Sequence, residues 1–156
     1  MRIDGSRKTL TTLPKRLAVG DLREQGLPFY GGTVRYRLPL PQPVGEERTS
    51  LELPEFEAAL AKLVAPDGER MLAWPPHRAE VPASALRERF VDLDLVLTRR
   101  NTFGPLHLVP PQAPGYGPDS FVTSGSRFTL GYALWPSGLL RPPRILTTVP
   151  SEEAVL

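Results

Sequence analysis

The densest group of side chains that could do chemistry lies in one nine-residue stretch, Arg99–His107. It combines two guanidinium groups with the amide of Asn101, the ring of Phe103 and the imidazole of His107. Forked N–H donors and amides bind hydroxyl groups, and the apolar face of a sugar ring packs on an aromatic ring. The residue types in this stretch therefore indicate saccharide recognition.

Aromatic residues elsewhere in the chain supply the stacking surface that a saccharide needs, with Tyr116 as one further candidate. The predicted ligand-binding residues are Tyr30, Trp74, Arg100, Asn101 and His107. Because Trp74 adjoins Pro75–Pro76, and because large rings are mostly buried, packing in the core or in a loop is favoured for it over an exposed platform.

A competing interpretation is structural. Side-chain hydrogen bonds go mostly to the backbone, so Arg100 and Asn101 could hold a loop by bonding its carbonyl groups. In that interpretation Phe103 and His107 fill the edge of a sandwich.

Patterns for catalysis and metal binding are missing from the sequence. His77 and His107 are the two imidazoles, and neither lies near carboxylates with metal-ligand spacing. The run Thr123–Arg127 lacks the glycines of a serine nucleophile elbow. Asp92 and Asp94 share one strand face, where such a pair is expected to solvate an exposed surface. We expect no enzyme activity and no cofactor, with structural calcium left open because its oxygen ligands leave little linear trace.

Length and charge restrict the class of protein. A chain of 156 residues is about one domain, which we place at 17–149, after an N-terminal arm or edge strand at 1–16 and before a tail at 150–156. Its 19 basic and 17 acidic residues give a formal net charge of +2, which argues against nucleic acid as a partner. No segment has the apolar character of a membrane span or a secretion signal, so we expect a cytoplasmic protein without membrane contact.

Short strands with proline-rich connections are the predicted elements, because 19 prolines disfavour long helices. Apolar and charged residues alternate in Thr33–Leu38 and in Phe90–Leu97, which predicts two half-buried strands. Val81–Leu86 is predicted as a loop with about one helical turn. Further strands are predicted at Met71–Trp74, at Phe128–Leu134 and within Leu139–Val149.

The segment Leu51–Val64 allows two interpretations. Four apolar residues recur at helical spacing, but Pro54 lies near the start of the segment and the turn pair Asp67–Gly68 follows it, which favours a hairpin between strands. With the neighbouring segments included, we predict strands here.

Three motifs occur in a familiar order: Gly26–Tyr36, Leu72–Pro76 and Arg100–His107. Together they resemble the C-terminal galactose-binding-like domain of bacterial glycoside hydrolases and their uncharacterised relatives, where G-x-P-F-[YF]-x-G, W-x-P and R-N-x-x-G-P-x-H elements recur. The resemblance covers about Leu17 to Ile145. It departs from the family at Ala65–Gly68, where the family usually carries an asparagine-glycine pair.

The resemblance implies an all-β jelly-roll sandwich with long proline- and glycine-rich loops. It also implies a non-catalytic, carbohydrate-associated domain whose partner is a glycan or the catalytic domain of a glycoside hydrolase, with any hydrolase activity belonging to a catalytic domain absent from this chain. The alternative is a structural or protein-interaction domain that docks on a catalytic partner without binding glycan.

Overall fold

The computed structural model describes residues 16–42, 47–110 and 115–148. In these ranges the chain forms nine strands and two short helices, with a 3₁₀ turn at Pro118–Ser120. The strands are β1 Thr33–Pro39, β2 Arg48–Glu52, β3 Phe56–Glu57, β4 Leu60–Ala65, β5 Gly68–Met71, β6 Arg78–Glu80, β7 Phe90–Val96, β8 Gly138–Leu139 and β9 Arg144–Thr148. The helices are α1 Ala83–Glu88 and α2 Arg100–Phe103.

All the strand pairs of the described ranges are antiparallel. One sheet has four strands in the order β1-β7-β4-β5, a second has three in the order β6-β2-β9, and β3 pairs with β8. The chain is therefore all-β with little helix, as predicted. No helix in the parts of the chain described is long and apolar enough to cross a bilayer.

The core explains why the alternating segments became strands. Val91, Leu93 and Leu95 of β7 are almost completely buried, and they share one apolar cluster with Leu51 of the three-stranded sheet and Leu63 of β4. Because side chains on one face of a strand recur every second residue, alternation is enough to place such a row against the core. The two sheets enclose this cluster in a sandwich-like arrangement.

The prediction that Asp92 and Asp94 solvate an exposed face is wrong. Their relative exposures are 8% and 6%, because arginines on the neighbouring strand cover them. Arg35 lies opposite Asp94 and donates from Nε and Nη2 at 2.7 and 2.8 Å. Arg37 lies opposite Asp92 and donates in the same way at 2.9 and 3.1 Å. Two forked ion pairs therefore join β1 to β7.

The two ion pairs should make the stability of the fold depend on pH in the acid range. Hydrogen bonds from Arg37 and Arg35 lower the pKa of Asp92 and of Asp94 respectively. A carboxyl whose pKa is lower in the folded state stabilises the fold fully above its ordinary pKa, and this stabilisation is lost progressively as the pH falls from that value through the lower pKa of the folded state. In urea titrations, the free energy of unfolding should therefore fall below about pH 4, and Asp94→Asn should reduce the slope.

Glu57→Gln is the matched control, because Glu57 is exposed and takes part in none of the ion pairs found within the described ranges. It should leave the slope close to that of the wild-type chain. Equal slopes for the wild type and Asp94→Asn would contradict the prediction.

The ambiguous segment Leu51–Val64 contains strands, as predicted. It holds the end of β2, the whole of β3 and most of β4. A tight turn at Pro66 and Asp67 joins β4 to β5, with Ala65 paired to Gly68. The return strand lies at Gly68–Met71, three residues earlier than the predicted Met71–Trp74, because pairing begins directly after the turn. The helical turn expected near Val81–Leu86 is α1.

The predicted strand Phe128–Leu134 is wrong. Only Phe128 makes a β-bridge, to Leu108, and no neighbouring strand is present in the described ranges to extend the pairing. The alternating apolar residues do not share one buried face here: Tyr132 packs on other aromatic rings, whereas Leu130 is 66% exposed. The closing segment Leu139–Val149 contains the end of β8 and all of β9. Apart from Arg16, the predicted arm and the tail lie outside the described residues.

Candidate functional site

The register of the four-stranded sheet defines one of its ends. Thr33, at the start of β1, and Leu60, at the start of β4, both pair with Val96 at the close of β7. The N–H of Leu72, directly after β5, donates to the carbonyl of Ala61 at 2.9 Å. We call this end of the sheet, marked by Thr33, Leu60, Leu72 and Val96, the loop end.

Three of the five predicted ligand-binding residues follow or precede these strands at the loop end. Tyr30 lies three residues before β1, Arg100 four residues after β7, and Trp74 three residues after β5. Since β1 and β5 are the outer strands, three strand spacings, or about 14 Å, separate them. Tyr30 and Trp74 are thus attached at opposite sides of the same end.

Trp74 is an exposed ring, with a relative exposure of 82%. The prediction that it packs in the core or a loop is wrong. Leu72, which is 2% exposed, takes the core position at the end of β5, and the chain then turns outward through Pro75 and Pro76. Nδ1 of His77 lies 3.0 Å from the Leu72 carbonyl and closes the turn. The Trp74 indole is therefore available as a stacking surface.

Tyr30 is also exposed, at 42%, and its loop is anchored to α2. The Thr102 hydroxyl donates to the carbonyl of Phe29 at 2.8 Å. The Tyr30 hydroxyl donates to the carbonyl of Thr33 at 3.1 Å, which holds the ring near the start of β1. Its position is fixed by local bonds while one part of the ring stays open to solvent.

Asn101 is buried, at 4% exposure, and its amide group is engaged with the backbone of Trp135. Its Nδ2 donates to the Trp135 carbonyl at 2.7 Å, and its Oδ1 accepts from the Trp135 N–H at 2.9 Å. Asn101 therefore has the structural role of the competing interpretation, because its side chain ties α2 to the backbone of a loop 34 residues away.

His107 lies inside a cluster of aromatic rings. Its Nδ1 is 2.9 Å from the carbonyl of Thr129, so this nitrogen carries the proton that is donated. The ring centroid lies 5.7 Å from that of Phe128 and 5.1 Å from that of Tyr132, and Tyr132 in turn meets Phe29 edge to face at 5.0 Å. His107 also lines a groove of about 250 Å³ formed by residues 104–107 and 120–123.

Arg100 lies partly buried beside this groove. Its Nη2 donates to the carbonyl of Pro105 at 3.2 Å, and its guanidinium carbon lies 4.7 Å from the centre of the Tyr116 ring. The Nε and Nη1 atoms are buried and have no hydrogen-bond partner within the described part of the chain. As the competing interpretation expects, Arg100 bonds a backbone carbonyl, but two of its donor atoms remain unused.

Sequence reasoning missed several exposed apolar side chains near these residues. Phe103, which was expected to fill the sandwich edge in the competing interpretation, is 68% exposed at the end of α2. Phe121 of the groove is 56% exposed, and Leu130 is 66% exposed. Phe103 and Phe121 follow no strand or helix period, and Leu130 belongs to the segment that was predicted as a strand, so the sequence held no signal for their exposure.

Within the described ranges no group of three His, Cys, Asp or Glu side chains is placed to hold a metal ion.

The fold and this surface define a β-rich, sandwich-like domain with exposed aromatic rings at one end of its larger sheet. Comparison of the chain with protein-family models, with curated proteins and with solved structures finds no match.

Proposed function

We propose that this chain is a non-catalytic, carbohydrate-associated domain that works beside the catalytic domain of a glycoside hydrolase. Its architecture in this proposal is the galactose-binding-like jelly roll that the three sequence motifs resemble. The observation that carries the proposal is the exposure of Trp74 and Tyr30 at the same end of one sheet. Exposed rings held by local structure are what saccharide stacking requires.

The spacing of the two rings bears on the size of the ligand. About 14 Å separates the strands that carry them, so a ligand that reaches from one of these strands to the other spans more than one sugar unit. A short oligosaccharide laid across the loop end would reach Trp74 with one sugar unit and Tyr30 with another. Of the two rings, Trp74 offers the larger exposed surface and should contribute more to binding.

The test is a glycan-array screen of the purified domain and of Trp74→Ala. Removing the indole should weaken binding to any glycan that the wild type binds by at least about tenfold, the effect typical of a central tryptophan. Because Trp74 is 82% exposed, the variant should unfold at the wild-type temperature.

Met71→Ala is the matched control, since Met71 is 71% exposed and ends β5 three residues earlier. It removes apolar surface but no ring, and it should keep more than half of the wild-type affinity. Equal losses in the two variants would show that stacking on Trp74 is not what holds the glycan.

A second candidate is a domain that docks on a catalytic partner without binding glycan. The exposed side chains of Phe103, Phe121 and Leu130 favour it, because large exposed apolar residues are common in protein interfaces. An array that stays silent for folded wild-type protein would contradict glycan binding and support this second candidate.

A further inference from the structure

The segment of residues 98–136 carries an unbalanced positive charge. It contains Arg99, Arg100 and Arg127 but only one acidic residue, Asp119. The rest of the chain holds sixteen basic and sixteen acidic residues, so this segment accounts for the whole formal net charge of +2. The excess charge therefore belongs to the part of the chain that builds the groove and α2.

None of these three arginines forms an ion pair with a carboxylate of the described ranges. Nε and Nη1 of Arg100 and Nη2 of Arg127 are buried, and they have no hydrogen-bond partner among the residues that the structure describes. A buried donor on a charged group is costly when it is unpaired, and an anion is the partner that relieves this cost most. These arginines contrast with Arg35 and Arg37, whose guanidinium groups are held by carboxylates.

Arg100 does not line the groove itself, but it is bonded to one of its walls. Its Nη2 bonds to the carbonyl of Pro105, and Pro105 and Gly104 line the groove. Tyr116 covers the guanidinium from the other side with a ring that is 36% exposed. Gly115 precedes Tyr116 with a φ of +118°, so the backbone next to this ring adopts a conformation that favours glycine.

We propose that the glycan bound at this site is anionic, a saccharide that contains uronic acid units. This inference rests on the proposed function and names its ligand class. The carboxylate accepts hydrogen bonds from Arg100 after the Tyr116 ring moves aside, while Arg99 and Arg127 add a positive field around it. The same ligand stacks another sugar unit on an exposed ring of the loop end.

The test compares two ligands that differ at their carboxyl groups, which are charged in one and neutralised as methyl esters in the other. Wild-type protein is titrated calorimetrically with oligogalacturonate and with its fully methyl-esterified form, at about 50 mM and about 500 mM NaCl. At low salt the acid should bind at least about tenfold more tightly than the ester, as expected for a charge-assisted pair. At high salt the difference should shrink, because ions screen partly exposed charges.

Variants then locate the charge. Arg100→Gln should abolish the preference for the acid. If Arg100→Gln does not fold, Arg99→Gln takes its place as the test, because Arg99 is exposed, and it should reduce the preference about two- to threefold. Arg87→Gln is the control, because Arg87 is an exposed arginine in α1, which precedes β7 and therefore lies at the opposite end of that strand. It should leave the preference unchanged.

The possible outcomes distinguish a failure of this inference from a failure of the proposed function. Equal affinity for the acid and the ester, or binding of neutral glycans alone, would overturn the inference and leave the proposed function standing. Silence towards every saccharide would overturn both. A heptaglutamate peptide that binds as tightly as the oligouronate would overturn the inference in favour of an acidic protein segment as the ligand.

Discussion

Asn101→Ala should lower the free energy of unfolding by about 2–4 kcal/mol. The substitution removes the two hydrogen bonds that link α2 to the backbone of Trp135, and it leaves the Trp135 N–H and carbonyl without these partners. Asn101 is 4% exposed, so water does not easily replace the lost amide. The measurement is urea unfolding at pH 7, followed by both circular dichroism and tryptophan fluorescence.

Thr102→Val is the matched control for Asn101→Ala. It removes one side-chain bond, from the Thr102 hydroxyl to the carbonyl of Phe29, in the adjacent position of the same helix. Its cost should be about 1 kcal/mol. If Asn101→Ala left stability unchanged but abolished glycan binding, Asn101 would be a ligand contact and the structural interpretation would be wrong.

The strands of the larger sheet could be predicted well from the sequence. Thr33–Leu38 and Phe90–Leu97 alternate over at least six residues, and their apolar rows face the core because one face of each strand is buried. The turn signal Asp67–Gly68 resolved the helical appearance of Leu51–Val64, since this pair favours a hairpin between two strands, and the turn itself lies one residue earlier, at Pro66 and Asp67. Local pattern was sufficient where the whole element was regular.

Predictions failed where a neighbour in space decides the outcome. Asp92 and Asp94 look like a solvated face until Arg35 and Arg37 are placed opposite them, and both pairs of residues alternate at the same spacing. The equal spacing of the two arginines and the two aspartates can be seen in the sequence, but the sequence does not show that β1 lies beside β7. The strand predicted at Phe128–Leu134 failed for the same reason, because a strand requires a partner and the sequence does not name one.

In the candidate site too, local sequence predicted the types of residue present, but contacts in space decided what each residue does. Spacing in Arg99–His107 predicted a cluster of useful groups, yet the structure uses Asn101 and His107 to hold loops in place. Exposure of Trp74 depends on Leu72 taking the core position, which no local pattern shows. The side chains that remain available for ligand contact are those, such as Trp74, that do not pack or form hydrogen bonds within the loop end.

Gly138→Ala should cost about 2–5 kcal/mol in the free energy of unfolding. Gly138 has a φ of +99°, a conformation that strains any residue with a Cβ atom. A Cβ here would also lie 2.6 Å from Cγ of Leu22 and 3.1 Å from the Tyr36 hydroxyl. Leu22 is fully buried and its N–H donates to the Ser137 carbonyl at 2.9 Å, so it cannot move away freely.

The two causes can be separated with a second glycine. Gly125 has a similar φ of +89°, but a Cβ at this position would meet no atom within 4 Å. Gly125→Ala therefore measures backbone strain alone, about 1–2 kcal/mol, and the excess cost of Gly138→Ala measures overlap with the core. Equal losses of stability in the two variants would show that the core around Leu22 can expand, and that its packing does not fix the position of β8.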